Sequence, residues 1–128
     1  MAYDYDDQNI FAKILRGEIP NNTVLETEHC LAFRDIAPQA PDHVLVIPKG
    51  AYVNFDHFAA DASDAEVVDF TRTVGEVSKM LGIQPGQGAP GYRLLANSGE
   101  HAIQEVPHMH VHVIAGRPLG PILTKAAS

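Results

Sequence analysis

Near the end of the chain, residues 107–114 read PHMHVHVI, a strict alternation that leaves little freedom in how this segment folds. In an extended strand successive side chains point to opposite faces. His108, His110 and His112 then share one face, and Met109, Val111 and Val113 share the other. One face can pack into a core while the other presents three imidazoles to a common space. With seven histidines in 128 residues, roughly 0.02 such triplets are expected by chance, so composition does not explain the row.

A strand with one apolar face needs a sheet around it and a layer over it. TVLET (23–27) and CLAFRD (30–35) read as short strands joined by a tight turn at Glu28–His29. HVLVIPK (43–49) is a β-branched, apolar strand ended by Pro48 and Gly50, and YRLLANS (92–98) is a fourth strand beside the histidine row. In NIFAKILRGE the apolar positions 10, 11, 14 and 15 have helical spacing, with Asn9 as cap and Gly17 as stop. The spacing predicts a second helix over 64–81. Ser63 and Glu66 form its capping box, Val67, Phe70, Val74, Val77 and Leu81 its stripe, and Gly82 closes it. The expected fold class is α+β: a mainly antiparallel five-stranded sheet with two helices per subunit. The chain is expected to be a single domain over 1–128, with 1–8 a loose acidic leader and 116–128 a C-terminal tail.

Composition excludes several functions. The net charge is −7 with no Lys/Arg-rich run, which argues against nucleic acid as a partner. The same charge disfavours anions at long range, so any phosphate must be held locally by backbone N–H groups and imidazoles. The single cysteine, Cys30, supports neither an intramolecular disulfide nor a cysteine-rich zinc site, and reads as a small buried hydrophobe. No apolar run approaches the ~18–20 residues of a membrane span. The acidic MAYDYDDQNI does not resemble a signal peptide, so the expected location is cytoplasmic, with no membrane partner.

Histidine clusters serve metal binding, acid–base or nucleophilic catalysis, and pH sensing. On a straight strand rising ~3.3 Å per residue, His108 and His112 stand roughly 13 Å apart at Cα. Three residues of one straight strand therefore cannot easily share a zinc whose Zn–N bonds are about 2 Å. A zinc would need two of the three and an outside ligand, and the sequence places no cysteine or carboxylate in the adjoining strand. A phosphoryl group with its leaving atom is extended and suits the row better. The middle imidazole could attack phosphorus while the outer two contact its oxygens or protonate the leaving atom.

These residues, with others, resemble the histidine triad (HIT) superfamily, whose mark is His-φ-His-φ-His-φ-φ with φ apolar. Here it stands as His108-Met-His110-Val-His112-Val-Ile. IFAKILRGEIP, LAFRDIAPQAPDHVLVIPK, GYRLLANSGEH and AGRPLGPIL are similar to the nucleotide-binding branch, particularly its bacterial members, over residues 9 to 123. The resemblance implies a nucleotidyl hydrolase or transferase that cleaves purine nucleoside phosphoramidates to a nucleoside monophosphate and an amine. It makes His110 the nucleophile, sets His112 near the scissile phosphate, and pairs His108 with a fourth histidine, His43. It gives Asp35 to the ribose hydroxyls, in an apolar pocket of Ile10, Phe11, Leu25, Phe33 and Ile36. Asn97, Gln104 and Glu105 are expected toward the phosphate and leaving group. It also implies no required metal or cofactor, and a homodimer that continues the sheet and brings the apolar, proline-stiffened tail toward the partner's site.

Read alone, Asp35 and Asn97 are also ordinary turn residues, His43 a core or edge histidine, and Lys49 and Arg93 solvated charges. Two other functions stay open: a purine nucleotide-binding regulator with vestigial hydrolysis, and a zinc-binding protein using His43 with two of the row. One departure bears on them. Many members carry Gly-Gly-Gln before the triad, where this chain has Ala102-Ile103-Gln104. A β-branched residue tolerates positive φ badly. The expectation is therefore a loop that bends differently or narrows the leaving groups, with weaker activity. Nothing in the sequence chooses adenine over guanine or names the amine.

Overall fold

The computed structural model describes residues 3–124, so the first two residues of the expected leader and the last four of the tail lie outside the described residues. Five strands form one sheet: β1 (Thr23–Glu26), β2 (Cys30–Arg34), β3 (Asp42–Pro48), β4 (Tyr92–Leu95) and β5 (Val111–Ala115). Their order is β1-β2-β3-β5-β4 and every neighbouring pair is antiparallel. This bears out the expected α+β class. There are three α-helices rather than two: α1 (Ile10–Leu15), α2 (Phe55–Asp61) and α3 (Asp64–Met80), with a 3-10 turn at Pro85–Gln87. The unforeseen α2 has seven residues, too few to display a stripe, and is started by Asn54, whose side chain accepts from the His57 N–H. Among the described residues no helix is long and apolar enough to cross a membrane.

Alternation along the strands splits the sheet into two faces. Cys30, Ala32, Val44, Val46 and Val113 turn to one side and pack with Phe58 of α2 and with Phe70 and Val77 of α3. Leu31, Phe33, Leu45 and Ile47 turn to the other and pack with Phe11 and Ile14 of α1. α3 begins with the expected capping box between Ser63 and Glu66. α1 is capped by the Asn9 side chain, which accepts from the Ala12 N–H at 3.0 Å.

Three positions depart from regular strands. β1 shifts register between Thr23 and Leu25, so that Thr23 opposes Phe33 but Leu25 opposes Ala32. The irregularity turns Leu25 to the α3 side. The histidine row enters the ladder only at Val111, not at residue 107. Upstream, the Met109 N–H donates to the Tyr52 carbonyl at 2.7 Å instead of to a neighbouring strand. The side-chain alternation nevertheless holds, since Met109, Val111 and Val113 all join the core beneath α3.

From Tyr3 onward the expected loose leader is docked. Tyr3 donates to Asp56 Oδ2 at 2.5 Å and accepts from Asn54 Nδ2 at 3.0 Å. Arg16 holds the Asp7 carbonyl at 2.7 Å. At the other end, Arg93 and Arg117 donate to the carbonyls of Gly120 and Gln39, both at 2.7 Å. Ile122 and Leu123 stay 85% and 80% exposed.

Candidate active site

The sheet face under α1 opens into a cavity of about 530 Å³. His110 and His112 form its floor, and Ile10, Phe11, Phe33, Asp35, Ile36, Asn97 and Glu105 line it as expected. Four expected residues do not line it. Leu25 is carried to the opposite face by the β1 irregularity. Gln104 is spent on the backbone, accepting from the Gly99 N–H and donating to the carbonyls of Val53 at 2.7 Å and Val106 at 3.0 Å. His108 and His43 stand behind the cavity wall, almost completely buried.

Backbone neighbours fix which nitrogen of each imidazole carries its proton. His108 Nε2 lies 2.8 Å from the Pro48 carbonyl, which can only accept, so Nε2 is the donor. Its Nδ1 then accepts from the Tyr5 hydroxyl at 2.5 Å. His110 Nδ1 donates to the His108 carbonyl at 2.7 Å, which leaves the Nε2 lone pair of His110 without a partner among the described residues. The Gln39 N–H donates to His43 Nδ1 at 3.1 Å, so His43 carries its proton on Nε2. That nitrogen donates to His112 Nδ1 at 2.9 Å, leaving an N–H on His112 Nε2. The expected pairing of His43 with His108 is therefore corrected. His43 sits two residues from Leu45, whose cross-strand partner is His112, and this diagonal brings the two rings together.

Burial disfavours the charged form of all four rings. It lowers the pKa of His43 against the pull of Asp35, and that of His110 against the His108 carbonyl and Asp35. His108 is pushed down to about 4 by burial, against the Pro48 carbonyl and with the help of His110. His112 is also pushed down to about 4, by burial and then by His110 and His43. Burial thus favours a set of neutral imidazoles, with the central one lining the cavity. The His110 and His112 ring centres lie 5.1 Å apart, and the edge-on Phe11 ring 5.0 Å from His110 closes the apolar side.

Asp35 does two jobs. Its Oδ1 accepts from the Ala37 N–H at 2.9 Å, making the turn, while Oδ2 stands 3.4 Å from His43 Nε2 at the cavity edge. A carboxylate does therefore reach the histidines, contrary to expectation, because Asp35 extends β2 by one backbone bond to His43. Asp35, His43 and His112 bring ligand atoms within 4.8 Å of one another, a geometry able to hold a metal ion.

The loop before the triad keeps the glycine conformation without the glycine. Ile103 has φ 57°, in the left-handed region. Its N–H bonds the Glu100 carbonyl at 3.0 Å and the Gln104 N–H bonds the Gly99 carbonyl at 3.1 Å. The same bond pair closes α1 at Gly17 and α3 at Gly82, where glycine takes the left-handed position. The loop is held by the Gln104 braces in a strained form.

Sequence reading missed Tyr5, Arg34 and Gln39. Arg34 lines the cavity, but one arginine at a strand end carries no signal of it. Gln39 acts through its backbone, which side-chain identity does not encode. Of the solvated charges, Lys49 pairs with Glu26 at 2.8 Å, outside the cavity.

The HIT domain model matches residues 16–119. The chain belongs to the HIT family. A HIT-like protein of Azospirillum brasilense is 61% identical over 125 residues, covering 98% of this chain and 99% of that protein. The purine nucleoside phosphoramidase of Escherichia coli is 40% identical over 117 residues, covering 91% and 94%. A solved HIT family hydrolase from Clostridium thermocellum superposes with a TM-score of 0.77 at 34% identity, covering 92% of this chain and 99% of that one.

Two predictions follow from this HIT site. A base whose pKa is depressed keeps its lone pair until the pH falls through the lowered value. The acid limb of kcat/KM should therefore lie below the ordinary histidine value of 6.5. Stability should fall over the same acid range, because the unfolded chain binds protons more readily. A limb centred at or above pH 6.5 would contradict neutral buried imidazoles. Ile103 is 74% exposed and loses little packing when replaced. Relief of left-handed strain, less the entropy of glycine, should make Ile103→Gly more stable by about 1 kcal/mol in urea unfolding. Unchanged or lower stability would remove the strain.

Proposed function

We propose that this HIT protein is a nucleotidyl hydrolase or transferase that cleaves the P–N bond of purine nucleoside phosphoramidates, releasing a nucleoside monophosphate and an amine. The observation that carries the reading is the free Nε2 of His110, left open to the cavity by the bond from its Nδ1 to the His108 carbonyl. The name of the Escherichia coli relative supports the purine phosphoramidate class. The apolar walls suit a base, and Asp35 suits two ribose hydroxyls.

In the first step His110 Nε2 forms a bond to phosphorus and the P–N bond breaks. The anionic substrate favours protonation where burial alone opposes it, and draws one solvent proton into the site. That proton ends on the departing amine, which His112 Nε2–H can meet from the cavity lining. The adduct is an imidazolium, and its Nδ1–H keeps the His108 carbonyl as acceptor. Water then attacks phosphorus, the P–Nε2 bond breaks, and the nucleoside monophosphate leaves with its protons going to solvent. Neither step calls for a metal or cofactor.

A second reading is zinc binding by Asp35, His43 and His112, favoured by the convergence of their ligand atoms. Vestigial hydrolysis is a third, drawn from the strain at Ile103. One experiment separates them: intact mass and AMP release with an adenosine phosphoramidate, for chelator-treated wild type and for His110→Ala. We expect a transient adenylyl adduct and AMP from wild type, and a loss of at least ~1,000-fold in the variant, about 4 kcal/mol of barrier. Activity that requires added zinc would favour the second reading, and binding without adduct the third.

The reading includes a homodimer in the cytoplasm. β4 is a sheet edge with exposed Tyr92 and Leu94, and the tail exposes Ile122 and Leu123. Sedimentation should give twice the chain mass at micromolar concentration; a monomer would remove the dimer.

A further inference from the structure

We propose that the amino-terminal leader is part of the active site, with Tyr5 a positioning residue whose hydroxyl holds His108 in the tautomer and pose from which the His108 carbonyl orients His110. The inference rests on the reading of His110 as nucleophile.

Residues 107–110 lie outside the ladder, so the pose of His108 depends on other bonds. Two are backbone bonds, from the Met109 N–H to the Tyr52 carbonyl and from the His108 N–H to the Val106 carbonyl. The others belong to the His108 ring, bonded at Nε2 to Pro48 and at Nδ1 to Tyr5. The ring is fully buried, and its Nδ1 lone pair has no solvent to turn to. Tyr5 supplies the donor.

The direction of that bond is set upstream. The Asn9 amide donates to the Tyr5 oxygen at 3.0 Å, leaving the Tyr5 proton free to be given to His108. Asn9 is itself held, because its Oδ1 caps α1 and its Nδ2 also donates to the Asp6 carbonyl at 2.7 Å. Donation therefore runs one way, from Asn9 to Tyr5, to His108 and on to Pro48. The leader is pinned on either side of Tyr5, by Tyr3 against Asn54 and Asp56, and by the bond from Arg16 to Asp7. Burial raises the Tyr5 pKa, so the hydroxyl remains a donor. A leader that only covered the fold would need none of this directionality.

The test labels the histidine nitrogens with 15N and reads kinetics on the same samples. In wild type His108 should carry its proton on Nε2, with Nδ1 unprotonated and hydrogen-bonded. Tyr5→Phe keeps the ring and loses the hydroxyl. Its His108 Nδ1 resonance should move toward the free, pyridine-type position, and kcat should fall about tenfold with KM within about twofold. Thr71→Val, which loses only a hydroxyl bond to the Val67 carbonyl on α3, should leave the resonance in place and kcat within about twofold. A wild-type His108 protonated on Nδ1 overturns the inference, whether or not any variant folds. So does a Tyr5→Phe protein in which the resonance or kcat is unchanged, or in which only KM moves. If wild type releases no nucleoside monophosphate, the functional reading falls and the catalytic role of Tyr5 falls with it. Turnover equal in wild type and Tyr5→Phe overturns this inference alone.

Discussion

The hydrogen bond from His110 Nδ1 to the His108 carbonyl, 2.7 Å long, decides which end of the central imidazole meets the cavity. It is available because the row does not pair as a strand until Val111. Inside a regular ladder the His108 carbonyl would point along the sheet and be committed to a neighbouring strand. Three residues short of the ladder it is free to accept a side chain. The sheet supplies the alternation that gathers the imidazoles on one face, and its failure to continue supplies the acceptor.

Electrostatics and backbone strain share one logic here. Burying four histidines costs nothing in charge as long as they stay neutral: Tyr5, Gln39 and His43 donate to lone pairs that only the neutral rings of His108, His43 and His112 keep, and the Pro48 and His108 carbonyls fix which nitrogen holds the proton. Ile103 stands in a left-handed conformation that disfavours it by ~1–2 kcal/mol. It is held there by a loop whose ends are tied and whose neighbour Gln104 spends its whole amide on backbone. Both arrangements persist because a separate core, beneath α3, carries most of the apolar burial.

The α+β class, the five strands and the capped α3 were legible from the sequence because each rests on local periodicity or capping. The face shared by three histidines was legible for the same reason. Nearly half of the cavity lining was legible through resemblance. What escaped depends on things that residue identity does not carry. Leu25 was misplaced because a one-residue irregularity reverses a strand's faces without altering its composition. Gln104 was misread because an amide serves backbone and ligand equally well. The partner of His43 turned on cross-strand register, and the role of Gln39 on a backbone N–H. α2 was too short to show a stripe, and Tyr5 lay in a segment whose acidity argued for solvent.

β3 runs through the centre of the sheet with His43, Leu45 and Ile47 on one side and Val44 and Val46 on the other. Reaction and load-bearing are therefore separated by the thickness of one backbone. Substitutions on the Val44 side act on how long the molecule lasts, and those on the His43 side on what it recognises. The two can drift, or be redesigned, on separate schedules. A lineage could exchange one set of side chains while the other stays under a different selection, with a single strand as the partition between them.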